Sequence, residues 1–146
     1  MKIAIRRMQL DDVDTVFELE KEIFDDPWNK ESFTVEVEST DNSYPCILLY
    51  NNIIAAYAVI WYYSGEVHIG NFAVHKNYRR RGLGINLLNH ILDKFNDHEV
   101  AYLEVRKSNI GAINLYKKFG FDALYVRSEY YSDKEDAIVM WKKLKS

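Results

Sequence analysis

The chain has 146 residues, enough for one hydrophobic core and too few for two ordinary domains, so a single domain over 1–146 is expected. Its 48% hydrophobic and 28% charged residues are those of a soluble globular protein, and a net charge of −3 argues against general nucleic-acid affinity, which draws on excess Lys and Arg. One cysteine excludes an internal disulfide or a cysteine-built zinc site, and without a secretory leader or an apolar run near the ~20 residues of a membrane span, a cytoplasmic location is expected.

Residues 2 to 8, with Ile3 and Ile5 alternating, predict a first strand. Asp11 or Asp12 then caps a helix carrying Val13, Val16, Phe17, Glu20, Ile23 and Phe24 at helical spacing, the Glu interrupting an apolar face. Pro27-Trp28-Asn29 ends it, and Asn29 caps a second helix through about Glu38. Two strands follow, Cys46 to Tyr50 and Ile53 to Tyr63, joined by Asn51-Asn52, a pair that tolerates the positive φ of a tight hairpin turn. Within the first of these strands Cys46 reads as a buried structural thiol rather than a nucleophile.

Ser64-Gly65 turns the chain into the strand Glu66 to Val74. Leu83, Leu87, Leu88, Ile91, Leu92 and Phe95 recur at steps of three or four and predict an amphipathic helix. A strand from Val100 to Val105 precedes a helix from about Ile110 to Phe119, where Gly120 falls at a left-handed C-terminal cap. Phe121 to Tyr131 and Ala137 to Leu144 read as two last strands joined by the polar loop Ser132 to Asp136. The order β-α-α-β-β-β-α-β-α-β-β describes an α/β domain with a mostly antiparallel sheet of about seven strands flanked by four helices; a helical crossover allows strands four and five to be parallel.

Two motifs carry chemistry. Arg79-Arg80-Arg81-Gly82-Leu83-Gly84 lies between a strand and a helix start, where free backbone amides, the helix dipole and glycines without Cβ favour an anion. On an acidic protein this local basic run fits a compact anion. A basic surface turn is the plainer reading, and the Walker pattern is excluded because no Lys-Ser or Lys-Thr follows the last glycine. The second motif, Leu103-Glu104-Val105-Arg106-Lys107-Ser108-Asn109, leads into the helix bearing Leu115-Tyr116. Taken singly, Glu104 is an ordinary carboxylate paired with Arg106 or Lys107, Tyr116 a packing residue and Asn109 a helix cap. His68, on strand four, is a rival base; His75, His90 and His98 lack metal-ligand spacing, and no metal is expected.

With both motifs together, the chain resembles the GNAT superfamily of acetyl-coenzyme A-dependent N-acetyltransferases from the first strand to Met140. Leu103-Glu104-Val105-Arg106, Ser108-Asn109, Ala112-Ile113, Leu115-Tyr116, Gly120-Phe121, Tyr130-Tyr131 and Glu135-Asp136-Ala137-Ile138, with Phe24 and Pro27-Trp28 upstream, are similar to the RimI-type subgroup, the bacterial ribosomal-protein-alanine N-acetyltransferases. The resemblance implies that Arg79, Arg80, Arg81, Gly82, Leu83, Gly84 and Ile85 hold the coenzyme pyrophosphate. It also implies that the main chain of Phe72, Ala73 and Val74 orients the pantetheine arm and that Asn109 hydrogen-bonds it.

The resemblance assigns Glu104 as general base and Tyr116 as general acid, with both expected to face a gap between strands four and five, and direct attack without a covalent intermediate is expected. A free α-amine, with pKa near ~7.8, costs about 1 kcal/mol to deprotonate at pH 7, against roughly 4 to 5 kcal/mol for lysine near ~10.4. A carboxylate acting through water suits the first task, and a phenol near ~10 is protonated and able to donate. The resemblance places the acceptor peptide between the first helical hairpin and the final strand pair, which makes Phe24, Pro27, Trp28, Tyr130 and Tyr131 candidates for gripping it, with core packing the alternative for Trp28 and Tyr131. The expected acceptor is a protein N-terminus, with alanine of a small-subunit ribosomal protein leading, and neither a nucleic acid nor a membrane is a partner. The alternatives are acetylation of lysines or small amines, and a catalytically silent coenzyme A-binding module.

Overall fold

The computed structural model describes residues 2–145. The seven strands β1 (Ile3–Arg7), β2 (Ser43–Tyr50), β3 (Ile53–Tyr63), β4 (Glu66–Val74), β5 (Val100–Arg106), β6 (Asp122–Arg127) and β7 (Ala137–Lys143) form one sheet in the order β1-β2-β3-β4-β5-β7-β6. Every neighbouring pair is antiparallel except β4 and β5, which the helical crossover makes parallel. Helices α1 (Val13–Ile23) and α2 (Lys30–Glu38) join β1 to β2; α3 (Leu83–Lys94) and α4 (Ile110–Lys118) flank β5 in sequence.

The helices divide the core between the two sheet faces. On one face Leu87, Leu88 and Ile91 of α3 and Ile113 and Tyr116 of α4 pack against Ala101, Leu103 and Val105. On the other, Val13 and Val16 of α1 and Phe33 of α2 pack against Ile47, Tyr57, Val59 and Ala73. Each fully buried aliphatic side chain contributes roughly 1.5–3 kcal/mol of hydrophobic stabilisation. Cys46 is among these residues, completely buried, and burial pushes its thiol up to about 12, in keeping with a structural role.

Local chemistry sets the boundaries. Asn29 accepts the Ser32 amide at 2.8 Å and starts α2, a cap worth about 1 kcal/mol. Asn51 and Asn52, at φ 51° and 69°, make the two-residue turn between β2 and β3. The first helix starts differently from expectation. A 3-10 turn over Leu10–Asp12 precedes α1, and the Asp12 carboxylate accepts the Gln9 amide at 2.8 Å and the Arg6 guanidinium at 2.7 and 3.0 Å.

The expected strand Phe121 to Tyr131 is also corrected, because β6 ends at Arg127. Glu129 at φ 50° and Lys134 at φ 70° turn the chain back, and the Tyr130 and Tyr131 amides both donate to the Glu135 carbonyl at 3.1 and 3.2 Å. Tyr130 and Tyr131 therefore belong to the loop 128–136 rather than to a strand. No helix among the described residues is long and apolar enough to cross a membrane.

Candidate active site

The central feature is a break in pairing. The parallel ladder between β4 and β5 runs from Glu66↔Val100 to Ile69↔Leu103 and stops. At the same level the β3–β4 register shifts, with Val59 opposite Asn71 and Ile60 opposite Ile69, so Gly70 is the extra residue of a bulge. Gly70 is required there by space: a Cβ would lie 2.3 Å from the Trp61 ring. Beyond the bulge β4 keeps its β3 ladder through Val74, while the edge turned toward β5 has no strand partner. Phe72, Ala73 and Val74 lie on this open stretch.

The Arg79–Ile85 segment follows. Gly82 sits at φ 76° with nothing within 4 Å of where its Cβ would be. No side chain caps α3, and its first backward hydrogen bond is Asn86 N–H to the Gly82 carbonyl at 3.0 Å. The amides of Leu83, Gly84 and Ile85 are thus left without intrahelical partners at the positive end of the helix dipole. Gly84 backs onto Leu115 and Val74, fixing this turn beside α4 and the end of β4. A free left-handed glycine followed by three outward amides fits a diphosphate.

The three arginines divide in their contacts. Arg79 Nε donates to the Val74 carbonyl at 3.1 Å. Arg81 donates to the Tyr50 hydroxyl at 3.3 Å and lies over the Tyr50 and Tyr78 rings. Arg80, at φ 65°, makes no ion pair or side-chain hydrogen bond among the described residues.

Strand alternation sends Leu103 and Val105 under α3 and α4, and Glu104 to the opposite face. The alternative pairing of Glu104 with Arg106 or Lys107 is not formed; Arg106 is bound to Asp133 and Glu135, each at 2.9 Å. Glu104 Oε2 instead meets His68 Nε2 at 2.5 Å, and Oε1 lies 3.9 Å from Arg127 Nε. His68 is packed against Trp61, with ring centroids 5.4 Å apart. The rival base is thus the hydrogen-bond partner of the candidate base.

Tyr116 comes from the other side. On α4 it packs edge-on to Phe72 at 6.0 Å and Phe121 at 5.9 Å. Burial first, and the nearby Tyr131 second, push its phenol well above the ordinary value, so the unperturbed phenol expected from the sequence is corrected to a more firmly protonated one. Tyr131 feels both sides of the opening. Burial pushes its phenol up to about 12, with Tyr130, Glu104 and Glu135 adding to the rise and Arg106, 4.0 Å above its ring, opposing it. Asn109 caps α4, accepting the Ala112 amide at 3.2 Å, which leaves its amide nitrogen for another partner.

The remaining candidates border the Glu104 face. Trp28 stacks on Trp61 at 5.9 Å and tilts against Phe33 at 5.2 Å, so it is a packing residue as well as a candidate contact. Phe24 is half-buried at the end of α1, and Pro27 is exposed. Tyr130 is 49% exposed, edge-on to Tyr131 and beneath Arg127. An open cleft of about 460 Å³ adjoins Pro27, Trp28 and Trp61, and a second of about 630 Å³ reaches Trp61, His68 and Tyr102.

Sequence reasoning missed Gly70, Arg127 and the role of Glu20; the one available signal was Glu20 breaking an apolar helix face. Among the described residues no group of three or more His, Cys, Asp or Glu could hold a metal.

The acetyltransferase (GNAT) family profile matches residues 13–121. An Escherichia coli K12 protein, [ribosomal protein bS18]-alanine N-acetyltransferase, is 33% identical over 94% of this chain and 95% of its own length. A Bacillus subtilis protein provisionally given the same description is 37% identical over 96% of this chain and 95% of its own. The crystal structure of the ribosomal-protein-S18-alanine N-acetyltransferase from Escherichia coli superimposes with a TM-score of 0.91 at 30% identity, over 99% of this chain and 96% of that one.

Proposed function

Since the chain belongs to the acetyltransferase (GNAT) family, we propose that it transfers acetyl from acetyl-coenzyme A to the N-terminal α-amine of a protein. The leading acceptor is the N-terminal alanine of the small-subunit ribosomal protein bS18, the acceptor named for its relatives. The setting is the cytoplasm, and the whole chain acts as one catalytic domain.

The observation that carries this reading is the coincidence of the Gly70 bulge with the end of the β4–β5 ladder. It opens the sheet between a carboxylate on one face and a phenol on the other. Gly82 and the amides of Leu83, Gly84 and Ile85 cradle the pyrophosphate, with Arg80, unpaired among the described residues, as a cation beside it. The open edge of Phe72–Val74 aligns the pantetheine arm, with the Asn109 amide nitrogen as a further donor to it.

The chemistry follows from the two faces. The acceptor amine approaches from the α1–α2 side, flanked by Phe24, Pro27 and Trp28 and by Tyr130 and Tyr131. Glu104, held by His68, takes a proton from the amine through a water. The amine nitrogen attacks the thioester carbonyl, whose oxygen is stabilised by main-chain amides of β4. The C–S bond then breaks, the thiolate takes its proton from Tyr116 on the α4 side, and the extra proton still on the acylated nitrogen passes through water to restore the phenol. A base and an acid on opposite faces suit a substrate threaded between the strands, because the entering amine and the leaving sulfur are separate substituents of the tetrahedral carbon and each needs its own proton-transfer partner.

Initial rates on an Ala-starting peptide and on an N-terminally blocked peptide with an internal lysine, read by mass spectrometry, test the proposal. Faster modification of the α-amine is expected; faster modification of lysine would overturn the acceptor assignment.

A further inference from the structure

Glu20 lies in the last turn of α1 at a position that helical spacing assigns to the core, and it is only 2% exposed. Burying a carboxylate without partners is very costly, so its contacts show what the position is for. Oε1 accepts the Tyr57 hydroxyl of β3 at 2.7 Å and the Asn71 side-chain amide of β4 at 3.0 Å. Oε2 accepts the main-chain amide of Trp28 at 3.0 Å. One side chain therefore joins the segment between α1 and α2 to the strand residue directly beyond the Gly70 bulge. All three partners approach as donors, a set that an acceptor-only carboxylate matches and a neutral amide does not.

We infer that Glu20 is a positioning residue for the acceptor, fixing the Phe24–Trp28 segment relative to the opening between β4 and β5. It is too enclosed to reach an amine, and its oxygens are already engaged, so it acts through Trp28 and Asn71. Holding Trp28 by its main chain leaves the indole free to stack on Trp61, which in turn covers Gly70 and contacts His68. Contacts from the segment to the acceptor are thereby set in register with the candidate base. This inference rests on the acetyl-transfer reading above and adds a determinant of acceptor binding to it.

The test compares the unaltered chain with Glu20→Gln, using an Ala-starting peptide and acetyl-coenzyme A. Glutamine sets an N–H against one of the three donors and should release Trp28. The peptide KM is expected to rise about tenfold, with kcat at saturating peptide and the acetyl-coenzyme A KM each within about twofold. Amide exchange at Trp28 is expected to quicken about tenfold while β3 amides keep their protection.

A lowered Tm with an unchanged peptide KM would overturn the inference, reducing Glu20 to a stabilising residue. If Glu20→Gln does not fold, Asn71→Ala removes the β4 link alone and is expected to raise the peptide KM about threefold; no rise would overturn it equally. The unaltered chain separates the two failures: no turnover on any peptide would overturn the parent reading and this one with it. Normal turnover with indifferent variants would sink only the role of Glu20.

Discussion

In the proposed reading, the groups offered to the coenzyme, on the side of the sheet covered by α3 and α4, are largely main chain: the open edge of β4, the Gly82 turn and the first amides of α3. On the side covered by α1 and α2, the groups proposed for the acceptor are side chains: Glu104, His68, the aromatic residues around Trp61, and the loop tyrosines. A main-chain site depends on backbone conformation and tolerates changes in most neighbouring side chains. A side-chain site depends on identity at each position and can be retuned one residue at a time. The first suits a co-substrate that does not vary, and the second an acceptor that does.

Substitutions on the two faces should therefore fail differently. Glu104→Gln is expected to cut turnover on an Ala-starting peptide about 10³-fold, near 4 kcal/mol of barrier, by removing the base. The acetyl-coenzyme A KM should stay within about twofold in steady-state assays of thiol release, and a large rise there would erase the distinction between faces. Tyr116→Phe should lower turnover about 10²-fold with both KM values nearly intact; an unchanged rate would return this tyrosine to packing against Phe72 and Phe121.

Gly82→Asp should act on the opposite parameter. It places charge where a Cβ now meets nothing, and should raise the acetyl-coenzyme A KM about 30-fold with saturated turnover within about threefold. Gly82→Ala meets no neighbour but is strained at φ 76°, so it should lower the Tm and raise the acetyl-coenzyme A KM less than Gly82→Asp does.

The smallest effect concerns the buried phenols of Tyr57 and Tyr116, one on each face, both held above the ordinary value of 10. Above that value the unfolded chain loses these protons while the folded chain keeps them, so stability is intact below pH 10 and falls as pH rises. Between pH 10 and 11 each phenol should cost about 1 kcal/mol, measurable as a drop in the urea midpoint and absent for the corresponding Phe variant.

Features governed by neighbouring residues were legible in the sequence. Asn29 as a cap, Asn51-Asn52 as a turn, the α3 stripe and Gly120 as a terminator at φ 92° follow from backbone preferences over a few positions. The helical crossover in the sequence allowed the parallel pairing of β4 and β5 that the sheet adopts. Features that depend on distant partners were not legible. Glu20 meets groups 37 and 51 residues away, and Glu104 finds His68 at a separation of 36, so local periodicity names none of these partners, although Glu20 breaking the apolar face of α1 marked a position in need of one. The Tyr130-Tyr131 pair shows the converse error. Its aromatic composition favours a strand, but left-handed Glu129 and the shared Glu135 carbonyl close a loop instead.

Cys46 has a practical consequence. As the sole thiol, fully enclosed and held far from its thiolate, it is shielded from electrophiles for as long as β2 stays covered. Its alkylation by iodoacetamide therefore requires the sheet to come apart, so a timed mass shift of one adduct per chain reports the population of opened molecules without an engineered label.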